Sequence, residues 1–431
     1  MSATSELVFI PFLALGHLAS MVEMARRLVD RNNRLSVTVL IMKFPFDSKI
    51  DSAVESFTIS VVTRIRFILL RQLNPSPETS VMAFLNQSVE SHKANVREAI
   101  ADPPTCSLPR LKGLIVDMFC TSMINVAVEF GIPSYVFIPS GVAVLGLMLY
   151  LQSLQDEQHM DLTRNAEDCR IFLGHVLKFR ESKGILVNTF AELEPRAVEA
   201  LAGLGAPVVY PVGPILNIEV ESKKGCEILD WLHQQPDASV VLLFFGSYGS
   251  FDEDLAKQIA CALERSGCRV LWSLRRPPAK GKLEAPCDLA DPTEVLPEGF
   301  IDQTAGVGRV IGWAPQLAIL AHPAVGGFLS HCRWNSNLES IWFSVPVAAW
   351  PPLGLAAEIK MDYRRDLVKD SESIVTADEI EGRIRRLMEG EEAEERRKKV
   401  KETSEKSREA LVEGEYSHLS LGRFIEDVSS Q

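Results

Sequence analysis

Short, continuous apolar runs alternate along this chain with longer stretches of helical period. The runs include Leu7–Ile10, Val37–Met42, Leu114–Val116, Tyr135–Ile138, Ile185–Val187 and Val240–Phe245, and later Val270–Leu274, Gly327–Leu329 and Val345–Trp350. A strand with one wet face alternates apolar and polar residues. A strand covered on both faces by helices is apolar throughout. Between the runs lie patterns such as Leu18, Met21, Ala25 and Leu28, which put apolar groups on one face of a helix. This order predicts an α/β fold with parallel sheets.

The alternation breaks once. Pro211-Val-Gly-Pro214 is stiff and turn-rich, and a polar stretch with Glu219, Glu221, Lys223 and Lys224 follows. This divides the chain into a first α/β domain, 1–214, a linker, 215–238, and a second α/β domain, 239–408, with a terminal helix over 409–431. Ligands of open α/β sheets bind at the carboxyl ends of the strands, so the default site is a cleft between two such domains.

Composition limits the partners. With 45 Lys+Arg against 57 Asp+Glu, the net charge of −12 argues against nucleic acid or an anionic membrane. The basic run from Arg396 to Lys401 follows Glu391–Glu395 and reads as one solvated helix face. The longest apolar stretch, Val142–Leu151, is about half the ~20 residues that span a bilayer. The start shows no signal-peptide pattern. None of the eight cysteines forms a C-x-x-C pair, so neither zinc nor a disulfide framework is signalled. The expectation is a reduced, cytoplasmic protein.

His17 follows the first apolar run at the turn into a helix, which makes it either a turn histidine that caps the helix or a cleft-facing base. Asp117 ends another run, and is either a loop or N-cap aspartate or the group that orients a histidine and stabilises its imidazolium. In the second half, Phe245-Gly-Ser-Tyr-Gly-Ser250 is a small-residue loop of the kind that lets backbone N–H groups approach an anion. His331-Cys-Arg-Trp-Asn335-Ser336 then opens a helix whose first turn favours phosphate. Glu339, one turn further on, suits two ribose hydroxyls. The plain alternative is an ordinary capped helix with a solvated glutamate.

Taken together these residues match a family. Trp313-Ala-Pro-Gln316, His322-Pro323, Gly326-Gly327-Phe328, Ser330-His331-Cys332, Trp334-Asn335-Ser336, Leu338-Glu339-Ser340 and Val345-Pro346 resemble the signature box of plant family-1 UDP-sugar glycosyltransferases. Gly16-His17, Asn188–Glu194, Pro211–Pro214, Phe245–Phe251 and Leu421–Glu426 extend the resemblance from end to end. It implies the GT-B fold, two Rossmann-like domains facing each other across a cleft, with the donor mostly in the second and the last helix returning to the first.

By the same resemblance, Trp313 stacks on uracil, Ala314 bonds it through its backbone, and Gln316 and Glu339 hold the ribose. His331, Asn335, Ser336 and Ser247 contact the diphosphate, and Trp334 borders the sugar. His17 deprotonates an acceptor hydroxyl with Asp117 as its partner. The anomeric configuration inverts, and neither a metal nor any other cofactor is required. Phe12, Met118, Phe119, Val142 and Leu145 are candidates for the acceptor wall and equally for plain core. The implied partners are a UDP-sugar, most often UDP-glucose, and a small lipophilic phenol such as a flavonoid, acting on a monomer.

Three features depart from the family pattern. The acidic residue and glutamine that normally close the box are absent, since Trp350-Pro351-Pro352 runs directly into Leu353–Ile359 and the pair falls on Leu355 and Ala356. Arg333 stands where glycine is usual, where it obstructs the donor, turns outward, or binds a diphosphate or acidic sugar. The stretch from Asp161 to His175 is shorter than in most members. The chain is therefore either a natural short variant or a sequence from which segments are omitted. Two functions follow, a glucosyl transfer enzyme, or a protein that keeps a UDP cradle and has lost transfer.

Overall fold

The structure is a computed structural model that describes residues 5–12, 14–43, 54–55, 57, 64–73, 80–101, 110–158, 167–218, 226–246, 249–278, 286–349 and 375–430. The chain divides into two compact units, Met1–Asn217 with Ser407–Gln431, and Ile218–Lys406.

Among the described residues the first unit holds seven parallel strands, β1 (Ser5–Ile10), β2 (Leu35–Ile41), β3 (Ile65–Leu69), β4 (Arg110–Asp117), β5 (Ser134–Ile138), β6 (Gly184–Val187) and β7 (Val208–Pro211). Their order is β3-β2-β1-β4-β5-β6-β7. Both faces are covered. Val8, Ile10, Leu114 and Val116 pack into one apolar cluster, and Leu7, Phe9, Ile115 and Phe137 into another. That is why these strands read as unbroken apolar runs. The helix Leu15–Arg31 buries Leu18, Met21, Ala25 and Leu28 against the second cluster.

Helix Tyr416–Ser429 belongs to this same unit. Its Phe424 ring meets Tyr135 and Tyr210 edge-on at centroid distances of 5.0 and 5.5 Å. Its Asp427 accepts a 2.7 Å hydrogen bond from the Tyr135 hydroxyl and pairs with Lys183 at 2.8 Å.

The second unit holds, among its described residues, a five-stranded parallel sheet: β8 (Val240–Phe244), β9 (Arg269–Ser273), β12 (Gly308–Ile311), β13 (Val325–Ser330) and β14 (Val347–Ala349). Its order is β12-β9-β8-β13-β14, and a two-residue hairpin, β10 (Arg275–Arg276) with β11 (Cys287–Asp288), stands apart. Val241, Leu243, Trp272 and Leu329 form one covering cluster, and Leu242, Phe244, Leu271 and Phe328 the other. Within 215–238, Ile215 is buried in the first unit's core, whereas Leu232 of helix Cys226–His233 is buried in the second unit's.

Each sheet has one place where the strand order reverses direction along the chain. In the first it lies between β1 and β4, with Ile10 opposite Val116; in the second, between β8 and β13, with Phe244 opposite Ser330. Connections leave such a pair of strands in opposite directions, so a crevice opens at their carboxyl ends. Both candidate sites sit at these points.

Candidate active site

His17 is the third residue of the helix that follows β1, and Asp117 is the last residue of β4, so the first reversal brings them together. The Nδ1 of His17 lies 2.7 Å from Oδ2 of Asp117. Asp117 is fully buried and its Oδ1 accepts the Phe119 N–H at 3.0 Å, while His17 keeps 24% of its side-chain surface exposed. With Nδ1–H donated to the carboxylate, the accessible Nε2 carries the lone pair. This is the tautomer a general base needs, and the buried carboxylate stabilises the imidazolium that forms. The helix N-cap, Ala14, has no side-chain cap, so His17 is engaged with Asp117 rather than with the helix end.

Phe12 and Phe119 are half-buried and border this imidazole, with centroids 5.5 and 5.9 Å from it and 5.2 Å from each other. Both suit an aromatic acceptor. Met118 is 6% exposed, and Val142 and Leu145 have no exposed surface at all. The last two are core side chains, packed in the cluster with Val116 and Ile138. The apolar run at 142–151 is a helix whose other face, with Val144, Leu147 and Tyr150, is the exposed one.

At the second reversal, β8 runs into Gly246 and β13 into His331. The His331 ring lies against the Gly246 backbone, where a Cβ would stand 2.6 Å from Nε2, and Gly246 takes φ +76°. His331 is 5% exposed, and its Nε2 makes no hydrogen bond among the described residues. Burial, then the charges of Arg333 and Arg275, push its pKa down to about 3. A neutral ring with a buried, unsatisfied nitrogen is ready to donate to an anion. The helix Trp334–Trp342 starts three residues on without a side-chain cap, so its first N–H groups point at the same edge.

Gln316 opens helix Gln316–Leu320 and is 8% exposed. Its Nε2 donates to Ser336 Oγ at 3.2 Å and to Glu339 Oε2. The structure thus gathers Gln316, Ser336 and Glu339 into one polar group close in sequence to Ala314, which is buried, and Trp313, which is 41% exposed. Trp334 and Asn335 lie half-buried in the first turn of the same helix as Glu339. Ser247 lies outside the described residues, as do Leu355 and Ala356 and the stretch 161–166.

Arg333 has φ −59° and ψ 148° and an exposed side chain. The left-handed residue of this turn is Cys332, at φ 54°, so an arginine at 333 costs the backbone nothing. Two further residues matter that the motifs did not flag. Arg275 is 2% exposed and donates to the carbonyls of Gly246, which lies against His331, and of Gly249, the latter at 3.1 Å. Its signal is a cation directly after the apolar run Val270–Leu274, at the carboxyl edge. His175 is buried beside Phe119 and Thr121. It had no signal, because a lone histidine in a helix reads as core.

A buried Asp117–His17 pair at the reversal of one doubly wound unit, and a strand edge suited to an anion at the reversal of the other, are the features expected of a two-domain nucleotide-dependent transferase. The family described as UDP-glucoronosyl and UDP-glucosyl transferase matches residues 206–398. UDP-glycosyltransferase 71A15 of Malus domestica is 46% identical, with 99% of this chain and 100% of that protein covered. UDP-glucose flavonoid 3-O-glucosyltransferase 6 of Fragaria ananassa is 45% identical, with 100% of each covered. The crystal structure of Medicago truncatula UGT71G1 complexed with UDP-glucose superposes with a TM-score of 0.83 at 35% identity, over 99% of this chain and 98% of that one. The chain belongs to the UDP-glycosyltransferase family and has its GT-B fold. The match to the Malus protein extends over 481 residues against the 431 of this chain, so at least 50 of its positions have no counterpart here. No helix of the described residues is long and apolar enough to cross a membrane.

Proposed function

We propose that this chain transfers glucose from UDP-glucose to a hydroxyl of a small lipophilic phenol, inverting the anomeric configuration. The observation that carries the reading is the His17–Asp117 pair, with its free Nε2 and bordering aromatic rings. His17 takes the proton from the acceptor hydroxyl. The phenolate oxygen then forms a bond to the anomeric carbon as the bond from that carbon to the UDP oxygen breaks. The departing diphosphate carries the electron pair away.

In the donor site, Trp313 stacks on the base, the Ala314 backbone bonds it, and Gln316 with Glu339 holds the ribose. His331, Asn335, Ser336 and Ser247 receive the diphosphate, and Trp334 borders the sugar. Helix N–H groups, the His331 ring and backbone donors stabilise the leaving group, so the mechanism calls on no metal. The names of the relatives support glucose and a flavonoid-like acceptor. The negative net charge fits a protein that does not bind nucleic acid.

A second reading, a UDP-binding protein that has lost transfer, is favoured by one observation. The acid–glutamine pair of the family box has no counterpart in Leu353–Ile359. Incubating the purified chain with UDP-glucose and a panel of phenols and flavonoids separates the two. The proposal expects products heavier by one hexosyl unit in the mass spectrum; UDP binding without product supports the second reading instead.

A further inference from the structure

The turn after β4 carries more than the partner of His17. Asp117 bonds His17 through one oxygen and the Phe119 N–H through the other. The Phe119 ring stands between two imidazoles, tilted by 36° to His17 and edge-on at 80° to His175, both at 5.9 Å. Two residues further, the Thr121 hydroxyl lies 2.7 Å from Nδ1 of His175 in a buried hydrogen bond. His175 comes from helix Glu167–Phe179, remote in sequence from this turn. Val176 and Phe179 of that helix are wholly buried, which fixes where the imidazole stands.

Any large apolar side chain would fill the space that His175 fills. A leucine there would leave the hydroxyl of Thr121, which is 1% exposed, without this partner. A polar ring at that position ties the turn at one end while Asp117 ties it at the other. The ring that borders the base is held between those two anchors. Displacement of Phe119 would carry with it the backbone N–H that orients Asp117, and so the direction in which His17 presents Nε2.

We propose that His175 is a positioning residue for the His17–Asp117 pair, acting through its hydrogen bond to Thr121 and its edge contact with Phe119. The proposal rests on the reading of His17 as the base. Small displacements of a reacting group are costly, so loss of this anchor lowers turnover while leaving the donor site, in the other unit, untouched.

The test compares full-length His175→Leu, His175→Asn and Thr121→Val, with His17→Ala as reference. It measures kcat and KM with UDP-glucose and a phenolic acceptor, and UDP affinity by calorimetry. His175→Leu keeps the volume and removes the hydrogen bond, and its kcat falls about tenfold to a hundredfold, with KM for UDP-glucose and the UDP affinity within about twofold. His175→Asn places an amide near Nδ1 and restores most of the turnover. Thr121→Val reproduces the loss, and the double variant with His175→Leu is no worse than either alone. Unchanged kcat in His175→Leu overturns the proposal. So does an equal loss in the leucine and asparagine variants, which marks a structural role only. Retained transfer in His17→Ala overturns the base reading itself, whereas abolished transfer there with an active His175→Leu overturns the positioning role alone.

Discussion

The Nδ1 of His17 lies 2.7 Å from Oδ2 of Asp117 across a separation of 100 residues, and that one contact exists because β1 and β4 are neighbours at the point where the sheet reverses. The carboxylate is fully buried, so it meets the imidazolium in a medium that screens little. Asp117→Asn therefore keeps the shape and removes the charge. Turnover with a phenolic acceptor should fall by about 10²–10⁴-fold. UDP affinity by calorimetry should not change, since the residues proposed to hold the donor belong to the other unit.

Glu339 and Gln316 hold each other, so either deletion leaves a polar partner behind. Glu339→Ala should weaken UDP by about 1–3 kcal/mol through the lost ribose contacts. Gln316→Ala should weaken it as well, and the double variant should cost less than the two losses added together. A double-mutant cycle on UDP dissociation constants measures this. Strict additivity would place the two residues in separate roles.

Gly246 combines φ +76° with a Cβ direction that points at His331 Nε2, 2.6 Å away. Alanine there carries both a left-handed backbone penalty of about 1–2 kcal/mol and a clash with the imidazole. Gly246→Ala should lower the melting temperature and weaken UDP together, whereas Gly267→Ala, with φ +64° and open space, should lower only the melting temperature. Thermal melts alongside UDP titrations read both.

Burial holds His175 at about 4 against the opposing charge of Asp117, and holds His331 at about 3, both below the ordinary 6.5. Both rings are therefore neutral in the folded protein, and between those values and 6.5 the unfolded chain binds more protons. Stability then rises with pH through this window, is full above about 6.5, and is lost as pH falls towards 4 and then 3. Chemical denaturation at about pH 7.5 and about pH 4.5 should show lower stability at the acid value, each unit of depression counting for about 1.4 kcal/mol. His175→Asn should flatten that dependence.

The interior strands were legible because helices cover both sheet faces and leave them continuously apolar. Three of the four edge strands, β3, β7 and β12, were not, whereas β14 was read in the run Val345–Trp350. β3, IRFIL, and β12, GRVI, each carry an arginine, and their residues are mostly only half-buried. β7 ends in Pro211, a residue that an edge strand tolerates and that reads as a turn in sequence. Among site residues, His17, Asp117 and the 313–339 group were visible through a family motif. Val142 and Leu145 stayed undecided between wall and core because an apolar run does not disclose which helix face is buried. Arg275 and His175 were hidden because their partners, the Gly246 and Gly249 carbonyls and Thr121, are set by the sheet and by the packing of a helix rather than by spacing.

The most direct test of the account compares the purified chain with its His17→Ala variant, with UDP-glucose and a phenolic acceptor, following hexosyl transfer by mass spectrometry and UDP binding by calorimetry. The account predicts a glucoside from the parent chain, none from the variant, and the same UDP affinity in both. Transfer that survives in His17→Ala, or UDP binding that disappears with it, would contradict the assignment of His17 as the base.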